Sequence, residues 1–152
     1  MFEEQLSQTV ISLIQNQGYT PFLQIPHFDG KIDFLGVNSS ECIVIETKVS
    51  KWNKALKQAI RYGYGAERVF VALPEQTAQY VLDNFREKFE SYGVGLISVT
   101  NDQAFILLES KYKSPSTIFK RLLLVQAQNR LLSSQKRVAE FIARFKDDRP
   151  LV

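Results

Sequence analysis

The chain has 152 residues, 45% of them apolar and 23% charged, and its 19 Lys+Arg against 16 Asp+Glu give a net charge of +3. That length points to one domain, with a core large enough to need neither disulfide nor structural metal. One cysteine, Cys42, and one histidine, His27, exclude an intramolecular disulfide, a cysteine-based zinc centre and a multi-histidine metal site. A Ser-His-Asp triad could run only through His27, and no GxSxG elbow is present.

The opening MFEEQLSQ is acidic and amphipathic, not a basic region followed by an apolar run, so it does not read as a signal peptide. The longest apolar candidate, Ile118 to Val125, is broken by Lys120 and Arg121 and falls far short of a membrane span. The expectation is a cytoplasmic protein with no membrane partner. Charge is unevenly spread. Residues 1–110 carry 9 basic against 13 acidic side chains, net −4, and residues 111–152 carry 10 against 3, net +7. A basic end on an acidic body suggests an anionic partner there, and a solvated basic helix face is the plainer reading.

In chain order, the apolar spacing of Leu6, Val10, Leu13 and Ile14 predicts a helix over residues 3–17, closed by Gly18. TPFLQIPHFDG reads as a linker punctuated by Pro21 and Pro26. Two β-rich runs follow, over 31–37 and 41–49, separated by Asn38, Ser39 and Ser40 in a hairpin signal. A helix is expected over 51–64 with Ser50 as its N-cap, then a buried strand over 68–73, a helix over 76–90, and strands over 94–100 and 103–110. Residues 111–115 look like a linker, and two helices over 116–132 and 134–146 are expected to break near Ser133 and Ser134. The order α-β-β-α-β-α-β-β-α-α argues for an α/β fold, a central mixed β-sheet flanked by helices, with C-terminal helices added. The division expected is a body over 1–110 and a basic helical extension over 111–152.

The chemistry sits on the hairpin. Strand side chains alternate faces, so Glu46 and Lys48 share one, and Asp33 shares a face with Lys31, Leu35 and Val37. A two-residue loop at Asn38–Ser39 pairs Asp33 with Val44, and one at Ser39–Ser40 pairs it with Glu46. Either places Asp33, Glu46 and Lys48 together, whereas a three-residue loop separates them unless a bulge restores parity. Two carboxylates among Phe34, Ile43, Val44 and Ile45 must be paired or must bind something. Two carboxylates with a backbone carbonyl suit Mg²⁺, and an ion pair between Glu46 and Lys48 on a solvated face is the alternative.

Asp33, followed thirteen residues later by Glu46, Thr47 and Lys48, resembles the PD-(D/E)XK nuclease superfamily. Ile32 stands where the motif name has proline. Gln58 and Tyr62 on the next helix look like the QxxxY element of the RecB-like branch, and the resemblance spans roughly residues 1–100 with the family's α-β-β-α-β core order. It implies a restriction-endonuclease-like fold over 1–110 and metal-dependent hydrolysis of DNA phosphodiesters. Asp33, Glu46 and the main-chain carbonyl of Thr47 would be Mg²⁺ ligands, with Mn²⁺ as substitute. Lys48 would orient or activate the attacking water, and a nuclease-fold protein that binds nucleic acid or another protein without cutting is the rival. For the carboxylate that the leading helix contributes, a helical wheel puts Glu3 inside the apolar stripe, at about +60° from Leu6, and Glu4 at about +160°, facing away. Glu3 is the choice.

Gln58 and Tyr62, at i and i+4, flank the buried stripe of their helix and can reach the site edge together. Lys54, Lys57 and Arg61 gather on its opposite side as candidate phosphate contacts. In the C-terminal segment, Lys136, Arg137 and Arg144 are the candidate DNA contacts, and its apolar positions are a candidate homodimer surface. His27 reads as a surface or capping residue near the mouth of the site, and Cys42 as a small core residue.

Overall fold

The computed structural model describes residues 4–147. Helix α1 (Glu4–Asn16) is followed by strands β1 (Thr20–His27), β2 (Gly30–Val37) and β3 (Cys42–Thr47). Helix α2 (Trp52–Tyr62) and a single 3-10 turn (Gly63–Gly65) lead to β4 (Arg68–Pro74). Helix α3 (Glu75–Tyr92), strands β5 (Gly95–Val99) and β6 (Ala104–Leu108), and helix α4 (Thr117–Asp147) complete the order. The six strands form one sheet in the order β1-β2-β3-β4-β5-β6. Pairing is antiparallel from β1 to β3, parallel from β3 to β5, and antiparallel again between β5 and β6.

The parallel centre follows from composition. CIVIET, RVFVAL and GLISV are apolar at nearly every position, and such strands need both faces covered. Ile43 and Ile45, with Phe34, Phe70, Ala72, Ile97 and Val99, pack under Val10 and Ile14 of α1. Cys42 and Val44, with Val69, Val71 and Leu96, face α2, α3 and the first half of α4 through Leu56, Ala59, Val81, Phe89, Leu123 and Ala127. The sheet is thus a middle layer, with α1 alone on one side.

Three expectations are corrected. The TPFLQIPH segment is a strand rather than a linker, so the core order gains a β element. Pro21 and Pro26 are tolerated because β1 lies at the sheet edge, where half the backbone N–H groups have no strand to meet. The C-terminal segment is one helix, not two, because two serines cost too little helix propensity to end a helix. Ser50 does not cap α2: Lys51 holds the N-cap position with no side-chain hydrogen bond, and the Ser50 carbonyl accepts from the Trp52 N–H at 3.0 Å. Gly18 does end α1, at φ +89, with the Gly18 and Tyr19 N–H groups returning to the Gln15 and Ile14 carbonyls.

The first half of α4 is bolted to the sheet. At Gly65 the helix backbone at Phe119 and Lys120 comes so near that a Cβ would lie 2.6 Å from the Phe119 carbonyl carbon, so only glycine fits. The Lys120 ammonium pairs with the buried Glu67 carboxylate at 2.5 Å and donates to the Ser40 carbonyl at 3.2 Å. Beyond Ala127 every side chain through Arg144 is exposed.

Candidate active site

The β2–β3 hairpin closes through Ser39 and Ser40. The Asn38 N–H donates to the Glu41 carbonyl at 3.0 Å, and the Asn38 side chain caps Ser40 and Glu41. This fixes Val37 opposite Cys42 and Phe34 opposite Ile45, the register that carries Asp33 to Glu46. Backbone pairing stops at Phe34 and Ile45. One step further the side chains take over. The Asp33 N–H donates to Glu46 Oε2 at 3.2 Å, and the Thr47 N–H and hydroxyl each donate to Asp33 Oδ2 at 3.0 Å. Two carboxylates therefore take these backbone N–H groups in place of ladder carbonyls where the β2–β3 pairing ends.

Asp33 is not simply beside Glu46 on one face. Ile32 and Leu35 both enter the core under α2 while Phe34 enters the core under α1, so the alternation of β2 breaks at Asp33. Its carboxylate reaches Thr47 and lines a cavity of about 180 Å³ on the α1 side with Ser7, Leu23, Gln24, Phe34, Thr47 and Lys48. Glu46 lies behind this wall and is 1% exposed.

Burial, then the negative charge of Asp33, pushes the Glu46 carboxyl up to about 9, and the Lys48 ammonium pulls it back only partly. Among the described residues, Glu46 Oε1 is buried with no hydrogen-bond partner. An orphaned carboxylate oxygen beside a second carboxylate fits a hard cation with bound water. The Thr47 carbonyl shares its strand edge with the Thr47 N–H that meets Asp33, so it faces the same way and fits as a third oxygen donor. Among the described residues no three Asp, Glu, His or Cys side chains converge, so the fit rests on two carboxylates and this carbonyl. Glu3 lies outside the described residues.

The other expected site residues separate. Tyr62 is buried, with its hydroxyl against the backbone of Gly30, where no Cβ would fit, and burial followed by the Glu46 charge raises its pKa. It braces the β1–β2 turn that leads into Asp33. Gln58 is half-buried and makes no side-chain hydrogen bond among the described residues. Lys54 and Lys57 are exposed, while the Arg61 guanidinium is engaged by Asp29 at 2.7 Å and lies over the Phe28 ring. Lys136, Arg137 and Arg144 are exposed on the outer half of α4. His27 is not a surface residue. It is 5% exposed among Phe28, Tyr62 and Phe119, and burial lowers its pKa. Cys42 is a core residue as expected, its thiol pushed up to about 11 by burial and so inert. Sequence reasoning missed Gln24 and Ser7 in the cavity wall. Gln24 was hidden by the linker reading of β1, and Ser7 carries no signal of its own.

No family model matches the chain, and no curated protein matches it. Solved structures do resemble it. A protein of unknown function from Silicibacter pomeroyi superposes with a TM-score of 0.69 at 15% identity, covering 96% of this chain and 93% of that one. An XisH family protein from Nostoc punctiforme PCC 73102 gives 0.50 at 20% identity over 67% of this chain and 97% of its own. An fdxN element excision controlling factor protein from Anabaena variabilis gives 0.50 at 19% over 68% and 97%. At these identities the likeness is one of fold. No helix among the described residues is long and apolar enough to cross a membrane.

Proposed function

We propose that this chain is a metal-dependent phosphodiesterase of the PD-(D/E)XK type that hydrolyses DNA in the cytoplasm. The observation that carries the reading is the buried Glu46 carboxylate, with one oxygen unpartnered among the described residues, set against Asp33 where the β2–β3 pairing ends, with Lys48 on the cavity that Asp33 lines. Buried acids without partners are rare in structural roles and frequent in sites. The fold supports it: a nuclease-like sheet flanked by helices, with the carboxylates on the hairpin where the motif resemblance puts them.

Asp33, Glu46 and the Thr47 carbonyl would hold Mg²⁺ or Mn²⁺, which when bound supplies Lewis-acid polarisation of a phosphate oxygen and a water of lowered pKa. The chain's own residues do the rest. Glu46 must give up its proton to become a ligand. Lys48, on the cavity wall, offsets phosphate charge and orients the attacking water. Thr47 holds Asp33 in place through two hydrogen bonds. The basic outer face of α4, with Lys136, Arg137 and Arg144, supplies non-specific attraction to the DNA backbone.

One observation favours the rival, a fold that binds nucleic acid without cutting it: Asp33 Oδ2 is already occupied by two donors from Thr47. The deciding experiment incubates the protein with linear, circular, single-stranded and branched DNA, with and without Mg²⁺ or Mn²⁺. Metal-dependent cleavage that Glu46→Gln abolishes supports the enzyme. DNA binding without cleavage in either metal supports the rival.

A further inference from the structure

Gln24 lies in the middle of β1, between the Leu23–Phe34 and Ile25–Ile32 pairs, which sets it opposite Asp33. Its φ is +54, a left-handed conformation that costs any residue with a Cβ and is seldom found inside a strand. The twist has two visible consequences. Phe22 and Ile25, three apart, both enter the core under α2, so the strand changes phase where β2 does at Asp33. Successive strand carbonyls normally point in opposite directions, yet here the carbonyls of Leu23 and Gln24 turn to one guanidinium. Arg130 of α4 donates through Nη1 to Leu23 at 2.8 Å and through Nη2 to Gln24 at 3.2 Å. The Gln24 side chain is exposed and lines the cavity that holds Asp33, Thr47 and Lys48.

Strain of this kind persists where surrounding structure enforces it, and it gathers at functional sites. The cavity, about 180 Å³, is smaller than the roughly 300–1,000 Å³ of pockets that enclose a whole ligand, but it has room for a phosphate group. A neutral carboxamide at its wall offers N–H donors to an anion without adding charge that would compete with a cation. We propose that Gln24 is a substrate-positioning residue whose carboxamide donates to a non-bridging oxygen of the phosphodiester beside Asp33 and Lys48. Arg130 is the positioning residue that keeps the Gln24 backbone left-handed. The inference rests on the phosphodiesterase reading above.

The test compares wild type, Gln24→Ala, Gln24→Gly, Arg130→Met and the Gln24→Gly/Arg130→Met double variant. It measures steady-state cleavage of a short duplex and of a single strand in Mn²⁺, and the thermal shift that Mn²⁺ produces without DNA. Loss of one hydrogen bond to a charged oxygen should lower kcat/KM about tenfold in both Gln24 variants, mostly through KM. The Mn²⁺-induced shift should stay at the wild-type value in all of them, because the cation's donors are untouched. Glycine removes the strain that alanine keeps, so Gln24→Gly should melt about 2–4 °C above Gln24→Ala while sharing its kinetic defect. Arg130→Met should raise KM in the wild-type background and add nothing in the Gln24→Gly background. Gln24 variants with wild-type KM overturn the assignment. Equal Arg130→Met effects in both backgrounds overturn the link and make Arg130 a direct DNA contact. A wild type with neither cleavage nor a Mn²⁺ shift overturns the nuclease reading and takes this inference with it.

Discussion

Two buried glutamates stand at opposite ends of β3, and their surroundings differ. Glu67, 2% exposed, has both oxygens satisfied: Oε1 accepts from the Cys42 N–H at 2.8 Å and Oε2 from the Lys120 ammonium at 2.5 Å. Glu46, 1% exposed, has one N–H on Oε2, no partner on Oε1 among the described residues and a second carboxylate beside it. Equal burial with unequal partners separates an acid that holds the fold together from an acid with an open oxygen among the described residues. The first fixes α4 to the sheet. The second meets its burial by holding its proton to about pH 9, and under the proposed function that oxygen is where a cation would bind.

The two acids should differ most in the chemistry. Glu46→Gln and Asp33→Asn should each lower metal-dependent cleavage by about 10³-fold or more, roughly 4 kcal/mol of transition-state stabilisation. Lys120→Met, assayed at a temperature where it is folded, should cut at close to the wild-type rate. Rates under single-turnover conditions check this, and an active Glu46→Gln enzyme would move the site elsewhere.

Stability should show the reverse order. Lys120→Met strands a buried carboxylate and should cost roughly 3 kcal/mol, the lower end for a broken buried pair because the Lys120 side chain is 26% exposed. Urea titration followed by circular dichroism measures it. A loss under 1 kcal/mol would make the Glu67 pair an ordinary surface contact.

A smaller effect sharpens the contrast through pH. The Glu46 carboxyl is raised from 4.5 to about 9 on folding. A group raised in the folded state contributes its full stability below the unfolded value and loses it as pH climbs to the folded value. From this group, stability should therefore fall between about pH 4.5 and 9. A divalent cation needs the ionised form, so the stabilisation that Mg²⁺ produces, read as a melting rise, should grow across that window to about 1–2 kcal/mol at several-fold excess over Kd. Thermal melts at pH 6 and pH 8.5, with and without Mg²⁺, test this. A rise that is equal at both values, or that survives in Glu46→Gln, separates the cation from Glu46.

The smallest expected change is Glu46→Gln at pH 6 without metal. The wild-type side chain is already protonated there, and the amide is nearly isosteric with it, so stability should change by less than about 1 kcal/mol. A loss like that of Lys120→Met would show that Glu46 is a structural acid after all.

The meeting of Asp33 and Glu46 was legible in the sequence because it is local. Asp33 and Glu46 belong to adjacent strands of one hairpin, and one of the two-residue loops considered, Ser39–Ser40, sets the observed register. The parallel strands were legible because continuous apolar runs have few other uses. β1 was not, since a proline signals a turn unless the strand is known to lie at an edge, and edges are decided by the whole sheet. His27 was misplaced for the same reason. Its neighbours Tyr62 and Phe119 come from α2 and α4, 35 and more residues away along the chain.

By itself the sequence determined which segments alternate, which are apolar throughout and which residues could ligate a cation, because these follow from side-chain chemistry and strand or helix period within a dozen residues. It took the packing of distant segments to give Glu67 its Lys120 and to leave Glu46 Oε1 without a partner among the described residues, and to bring Arg130 to the Leu23 and Gln24 carbonyls. The Lys120 partner of the buried Glu67 lies 53 positions away along the chain and the Arg130 partner of the Leu23 carbonyl 107, and no local pattern records such distances.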